Sequence, residues 1–401
     1  MRPLEGMRVV DFTLAASGPC TTKLMADWGA EVIKVEAPGG EMMRFRPYEL
    51  FEWNNLNKRN LVCNAKSPEG LEIIYKLVEN ADFFVTNFRE KALKKLKLDY
   101  ESLKKINPRI IYGLVSGYGT EGPLADAPGY DVTAFWARTG LLYEAVDKGS
   151  APLVSPLGIG DYAIAPALLS GMLAAWVQLS KTGEGQRVDT SLYAMGLFVN
   201  QWYLCRPQAD PSFRYPVSRR EVKEPMSNCY QTKDGTWFQI TLFDFERFFP
   251  VLLRICGREE LFGTPGFSSF QDISNHCSDV IKVLDEGFAQ YETSELFEKF
   301  TEAQIAFNKI NLPGDALEDE QAWANRYLFN YEFRDGKTIA MPATPVKFHR
   351  NEMPLAGFAP RLGEDTIKIL TELNYSDTQI QEMLEQGIVQ AFHEKGEMES
   401  W

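Results

Sequence analysis

"MRVVDFTLAASGPCTTKLMADWGAEVIKVE", residues 7–36, changes its hydrophobic period twice. Residues 7–13 ("MRVVDFT") read as a strand, residues 19–30 as a helix with Gly29 near its end, and residues 31–36 ("EVIKVE") as a strand again. The pattern repeats downstream. "RNLVCNA" (59–65) is strand-like, and "SPEGLEIIYKLVENA" (67–81) is a helix capped by Ser67 with Pro68 in its first turn. "DFFVTNF" (82–88) is a strand, "DYESLKKIN" (99–107) a short helix, and "RIIYGLVSGYG" (109–119) a further strand. Repeated strand–helix units of this kind build a parallel, doubly wound sheet, so residues 1–205 are expected to form a large Rossmann-like α/β domain.

The texture changes after residue 205. "RPQADPSFRYPVSRREVKEP" is rich in proline and charge without periodicity, and 206–226 reads as a linker. "CYQTKDGTWFQITLF" (229–243) is a hairpin turning at Asp234-Gly235, and helical patterns follow to about Asn311. Residues 227–325 are therefore expected to be a smaller α+β domain. The remainder, 326–401, holds a hairpin ("YEFRDGKTIAM") and two closing helices (363–389), and is expected to pack back on the large domain.

Composition excludes several partners. Lys and Arg number 42 against 55 Asp and Glu, a net charge of −13, which speaks against nucleic acid as a partner. The N-terminus lacks the apolar core of a signal peptide. The longest apolar stretch, Tyr162 to Val177, contains Pro166 and falls short of the roughly 20 residues that span a bilayer. It reads as a buried helix, with no membrane partner. Six scattered cysteines suggest neither disulfides nor a zinc knuckle, and the expected compartment is the cytoplasm. His276, His349 and His393 have no ligand-like neighbours, so no metal site is expected. Phosphate-loop, serine-hydrolase and zinc-protease motifs are absent. "GYGTEG" (117–122) imitates a dinucleotide fingerprint, but Pro123 and Pro128 prevent a helix from running on out of its glycines.

Chemistry points instead to "PLGIGDYAIAPALLSGMLAAW" (156–176). Asp161 follows Gly158 and Gly160 and precedes an apolar helix. Aspartate is a good N-cap, which is its purely structural reading. The alternative is a working carboxylate at the wall of a core. Glycines would then let a ligand approach, and the amides of Gly158 and Gly160 are candidate oxyanion donors.

These segments, taken in order, resemble class III CoA-transferases of the formyl-CoA and carnitine type. The resemblance rests on "LEGMRVVDFT", "SGPCTTKLMADWGAEVIKVEAPGG", "NKRNLV", "ADFFVTNFR", "NPRIIYGLVSGYGTEGP", "GIGDY" and "KTGEGQRVDTSL". "GYDVTAFWARTG" and "DEQAWANRYLF" are most similar to the 2-hydroxyacyl branch of amino-acid-fermenting anaerobes, which passes CoA between an enoyl-CoA and an (R)-2-hydroxy acid. The resemblance implies an interlocked homodimer, coenzyme A as substrate with no further cofactor, and Asp161 as nucleophile. It implies CoA contacts at Ala15 and Ala16 after the first strand, at Ala37, and at Cys63, Asn64, Ala65 and Lys66 beside the adenosine. Further contacts fall on Asn87, Phe88 and Arg89, on Lys95 in place of a phosphate-binding arginine, and on Tyr130 and Asp131 along the pantetheine. Glu41 stands where the family usually carries aspartate, while Arg44 is retained.

No glycine-rich lid is found, so formate and oxalate are not the expected acids. Three alternatives remain at this stage. An α-methylacyl-CoA racemase is disfavoured because Tyr130 stands where those enzymes place a histidine base. A carnitine- or dicarboxylate-type transferase and an inactive CoA-binding module are the others.

Overall fold

The computed structural model describes residues 2–45, 48–211, 213, 215–350 and 357–392; His393 and the end of the return segment lie outside them. In chain order the first elements are β1 (Arg8–Phe12), α1 (Ser17–Asp27), β2 (Glu31–Glu36), α2 (Tyr48–Asn55), β3 (Arg59–Cys63), α3 (Pro68–Glu79) and β4 (Phe83–Thr86). Then come α4 (Glu90–Leu96), α5 (Tyr100–Leu103), β5 (Ile111–Ser116), α6 (Leu141–Glu144), α7 (Ile159–Thr182), β6 (Arg187–Ser191), α8 (Leu192–Val199) and α9 (Gln201–Ala209).

Strands β1 to β6 form one parallel sheet; β1 to β5 are largely apolar and buried on both faces, as covered strands must be, while β6 (Arg187–Ser191) is polar. Val10, Leu61, Phe84 and Tyr112 pack under α3. Phe83, one residue along β4, faces the other layer and meets Trp176 of α7 with ring centroids 5.4 Å apart. Reading across from β3, the order is β3-β2-β1-β4-β5-β6. Its direction reverses between β1 and β4, and ligands of such sheets bind outside the carboxyl ends of the strands at that reversal. The expected doubly wound sheet is present.

The chain divides into two compact units, Met1–Leu141 with Ser155–Cys205 and Arg326–Trp401, and Leu142–Val154 with Arg206–Asn325. Residues 142–154, read from sequence as part of 1–205, thus group with the second unit. The cause is visible: Asp147 Oδ1 accepts from the Arg219 amide at 2.5 Å, and Lys148 pairs with Glu221 at 2.9 Å. The 206–226 stretch, read as a linker, is anchored by the same arginine. Its guanidinium pairs with Asp285 at 2.8 Å and donates to the Cys229 carbonyl at 3.0 Å.

The second unit holds β7 (Ser227–Gln231) and β8 (Trp237–Thr241), the expected hairpin. It continues through α10 (Phe245–Ile255), α11 (Phe270–Asn275), α12 (Cys277–Phe288), α13 (Thr293–Glu302), β9 (Phe307–Lys309) and α14 (Glu320–Ala324). Phe238, Phe249, Phe288 and Phe300 fill its core.

The return segment supplies a hairpin, β10 (Leu328–Glu332) and β11 (Thr338–Pro342), then α15 (Thr366–Glu372), α16 (Asp377–Glu385) and β12 (Val389–Gln390). Ile369, Leu370, Ile380 and Met383 join the large core, and β12 pairs antiparallel with β3, so Val389 lies opposite Cys63.

Helix α7 departs from its sequence reading. It is long and apolar, but only Ile164, Leu168, Met172 and others of one face are buried. Val177 is exposed, as are Phe198 of α8 and Trp202 of α9. Among the described residues it alone is long and apolar enough to cross a membrane.

Candidate active site

The site is built where β1 ends. Residues 13–16 form a short loop before α1, and the Asn87 side chain after β4 clamps it. Asn87 Oδ1 accepts from the Leu14 amide at 3.0 Å, and Nδ2 donates to the Leu14 carbonyl at 2.7 Å. This is the mouth of the crevice at the strand-order reversal. Ala16 caps α1 without a side-chain acceptor, leaving the first amides of that helix uncapped.

Opposite lies the start of α7. Gly158 precedes it at φ +85°, a left-handed conformation suited to glycine, and Asp161 is the third residue of the helix. Asp161 is therefore not the N-cap, and its side chain caps nothing. The Ser17 hydroxyl, at the start of α1, faces it and favours its charged form. Burial, reinforced by the negative charge of Asp131, pushes its carboxyl up to about 6, and the Ser17 hydroxyl opposes that rise. It remains mostly ionised at neutral pH, yet is far less solvated than a surface carboxylate.

Asp131 holds the start of α7. Its carboxylate, 5% exposed, accepts from the Gly158 amide at 3.0 Å and is faced by the amides of Gly160 and Asp161. It acts as the anion at the N-terminus of α7. The Gly158 amide, one of the two expected as oxyanion donors, is thus occupied. Gly160 is needed for this approach: a Cβ there would lie 2.3 Å from Asp131 Oδ1 and 2.4 Å from Phe135 Cγ. Asp131 opens a π-helical turn, Asp131–Ala137, which sequence periodicity did not reveal.

The other expected residues line the carboxyl edge of the sheet to different degrees. Ala15 and Ala16 lie in the crevice loop, and Phe88 packs on Phe12 with ring centroids 4.8 Å apart. Arg89 donates to the Asp126 carbonyl at 3.3 Å. Tyr130 is 70% exposed. Ala37 and Lys66 are exposed in turns after β2 and β3, and Ala65 is half-buried. Asn64 is spent on its own turn, its Oδ1 accepting from the Lys66 amide at 3.1 Å. The Cys63 side chain is the clearest departure. It is buried in the core, where burial pushes its thiol up to about 12, and its strand position is paired with Val389 of β12. Lys95 is exposed in the last turn of α4.

Sequence reading missed the charges beneath the loop. Asp11 and Lys58 are fully buried and 2.9 Å apart, and Lys58 also donates to the carbonyl of Pro19 and to Asn55 Oδ1, both at 2.9 Å. Burial would raise the Asp11 carboxyl, but the ammonium groups of Lys58 and Lys34 and the hydroxyls of Thr13 and Thr22 carry it down to about 2. Lys34, also fully buried, pairs with Glu41 at 2.9 Å and donates to the Thr13 carbonyl at 3.0 Å. Arg44 pairs with Glu36 at 2.7 Å. The one available signal was polar residues at inward positions of apolar strands, as in "VVDF" and "VIKVE".

Comparison with known proteins agrees with this architecture. The model of CoA-transferase family III matches residues 4–366. The chain is 34% identical over 402 residues to the (R)-2-hydroxy-4-methylpentanoate CoA-transferase of Clostridioides difficile, covering 96% of this chain and 99% of that one. It is 31% identical over 396 residues to the cinnamoyl-CoA:phenyllactate CoA-transferase of Clostridium sporogenes, covering 94% and 95%. A solved CaiB/BaiF family protein from Brucella suis superposes with a TM-score of 0.78 at 25% identity, covering 93% of this chain and 99% of that one. With a family model spanning the sheet, the crevice loop and the Asp161 helix, the chain belongs to CoA-transferase family III and is a CoA-transferase.

Proposed function

We propose that the enzyme moves CoA from an enoyl-CoA to an (R)-2-hydroxy acid, with Asp161 as the covalent carrier. The observation that carries this is the Asp161 carboxylate itself, half-buried in the first turn of α7 and faced by the Ser17 hydroxyl at the start of α1. An Asp161 oxygen attacks the donor thioester carbonyl, CoA leaves as thiolate, and an acyl-aspartyl anhydride forms. The thiolate attacks the aspartyl carbonyl, releasing the donor acid and leaving an aspartyl-CoA thioester. The acceptor carboxylate then attacks that thioester and the steps run in reverse, regenerating Asp161. One thioester replaces another, so no nucleotide or further cofactor is required. The uncapped amides at the start of α1 are the proposed donors to the developing oxyanion, since Asp131 holds the Gly158 amide that precedes α7.

The 2-hydroxy acid class is supported by the names of the two relatives, which act on (R)-2-hydroxy-4-methylpentanoate and phenyllactate. The test is a panel of acyl-CoA donors, cinnamoyl-CoA among them, with (R)- and (S)-2-hydroxy acids, succinate and oxalate, read by mass spectrometry of the CoA esters. CoA appearing on the (R)-2-hydroxy acids is expected; transfer confined to succinate or oxalate would refute the substrate class.

The proposed nucleophile makes kcat/KM for the acyl-CoA rise with pH through about 6, because only ionised Asp161 attacks. Ser17→Ala removes a donor to the charged form and moves that limb to higher pH. Asp131→Asn removes a like charge and moves it to lower pH. A limb that stays in place in both variants belongs to some other group.

We further propose a cytoplasmic homodimer. The exposed apolar side chains of Val177, Phe198 and Trp202 suit burial against a second copy, and light scattering at twice the chain mass is the expected result.

A further inference from the structure

We propose that Glu41 is a positioning residue for transfer, holding Ala15 in a left-handed turn so that Ala16 and Ser17 are aimed at Asp161. The inference rests on the covalent role proposed for Asp161. Ala15 has φ +66°, a conformation that a residue with a Cβ keeps only when its surroundings impose it. Glu41 imposes it. Its Oε2 accepts from the Ala15 amide at 2.7 Å, while Oε1 pairs with the Lys34 ammonium at 2.9 Å.

Glu41 is itself fixed. Its side chain is 7% exposed, and its amide donates to Glu36 Oε2 at 3.0 Å. Glu36 in turn is gripped by Arg44. Lys34 completes the device by donating to the Thr13 carbonyl at 3.0 Å, so one buried ion pair binds the loop on both sides of Leu14. The next two residues are Ala16, which caps α1, and Ser17, whose hydroxyl faces Asp161. A change of direction at Ala15 would therefore move both at once. Nothing in this chain of contacts leads to the exposed Lys95 or Lys66, so anchoring of CoA through those lysines should be indifferent to it.

The variant that reads the device is Glu41→Gln, which keeps size and one acceptor but weakens the hold on Lys34 and Ala15. With the donor and acceptor used by the wild type, kcat should fall roughly 10- to 100-fold while KM for the acyl-CoA stays within about threefold, as expected of misalignment rather than lost binding. Glu41→Asp, which retains the charge, should recover part of kcat. Adding Ala15→Gly to Glu41→Gln should do the same, because glycine enters the turn without the Cβ penalty. If Glu41→Gln fails to fold because Lys34 is left unpaired, Glu41→Gln/Lys34→Met removes that charge, and the kcat loss should persist.

Wild-type kcat in folded Glu41→Gln or in folded Glu41→Gln/Lys34→Met would overturn the inference. So would equal losses in kcat and thermal stability across all these variants, with no recovery by Asp or by glycine. Asp161→Asn is measured alongside: its retained activity would sink the covalent role instead, so the two failures are distinguishable.

Discussion

Asp161→Asn should lose at least about 10⁴-fold in CoA transfer, the scale on which removal of an attacking nucleophile is felt. The amide keeps the shape of the carboxylate and retains an acceptor for Ser17, so the loss is chemical. Folding should not suffer, and the sign of the pKa displacement says why. Asp161 titrates near 6 in the folded protein against an ordinary value of 3.8. A raised carboxylate favours the protonated fold, so its stabilising contribution is present below about 4 and is lost as pH rises through about 6. At neutral pH the wild type carries a half-buried charge that asparagine lacks. The variant should melt at the same temperature as wild type or higher at pH 7.5, with the difference shrinking as pH falls toward 4. A markedly lower melting temperature at pH 7.5 would mean that Asp161 is a structural cap after all.

Lys58→Met is the substitution with the largest expected cost in stability. Lys58 and Asp11 are both fully buried, and the ammonium satisfies Asp11, Pro19 and Asn55 together. Removing one partner of a buried ion pair leaves the other charged and unpaired, which costs about 3–5 kcal/mol. The denaturant midpoint should fall accordingly, and Lys58→Met/Asp11→Asn should recover much of the loss by removing the orphaned charge. Asp11 is depressed to about 2 in the fold, so its contribution is present above its unfolded pKa near 4 and is lost as pH falls through about 2. The wild-type pair should therefore hold through mildly acidic conditions. A single variant as stable as wild type would show that Thr13 and Thr22 suffice to satisfy Asp11.

The sheet was legible because its strands are short apolar runs separated by amphipathic helices, and the period of each run is a local property. Ser67 and Pro68 marked the start of α3, and the Ser67 hydroxyl does accept from the Gly70 amide at 3.0 Å. Strand β12 was not legible: two residues, Val389 and Gln390, carry no period, and only pairing with β3 makes them a strand. The site was half-legible for a related reason. Asp161 announced itself through its glycines, but which group takes the Gly158 amide depends on Asp131, far back in the chain and brought close only by the fold. The same holds beneath the loop. A charge such as Lys34 in "VIKVE" reads as solvated until its partners, Glu41 and the Thr13 carbonyl, converge on it. Cys63 went the other way, since its position in β3, between β2 and β12, gave its side chain to the core.

The central claim is that CoA is carried for a time on one aspartate. The enzyme is mixed with an acyl-CoA donor alone, treated with borohydride or hydroxylamine, digested, and read by tandem mass spectrometry. Reduction to the alcohol, or conversion to the hydroxamate, at Asp161 and only where donor was supplied is the predicted result. Asp161 left unmodified in enzyme that transfers CoA once an acceptor acid is added, or the label on another residue, would contradict it.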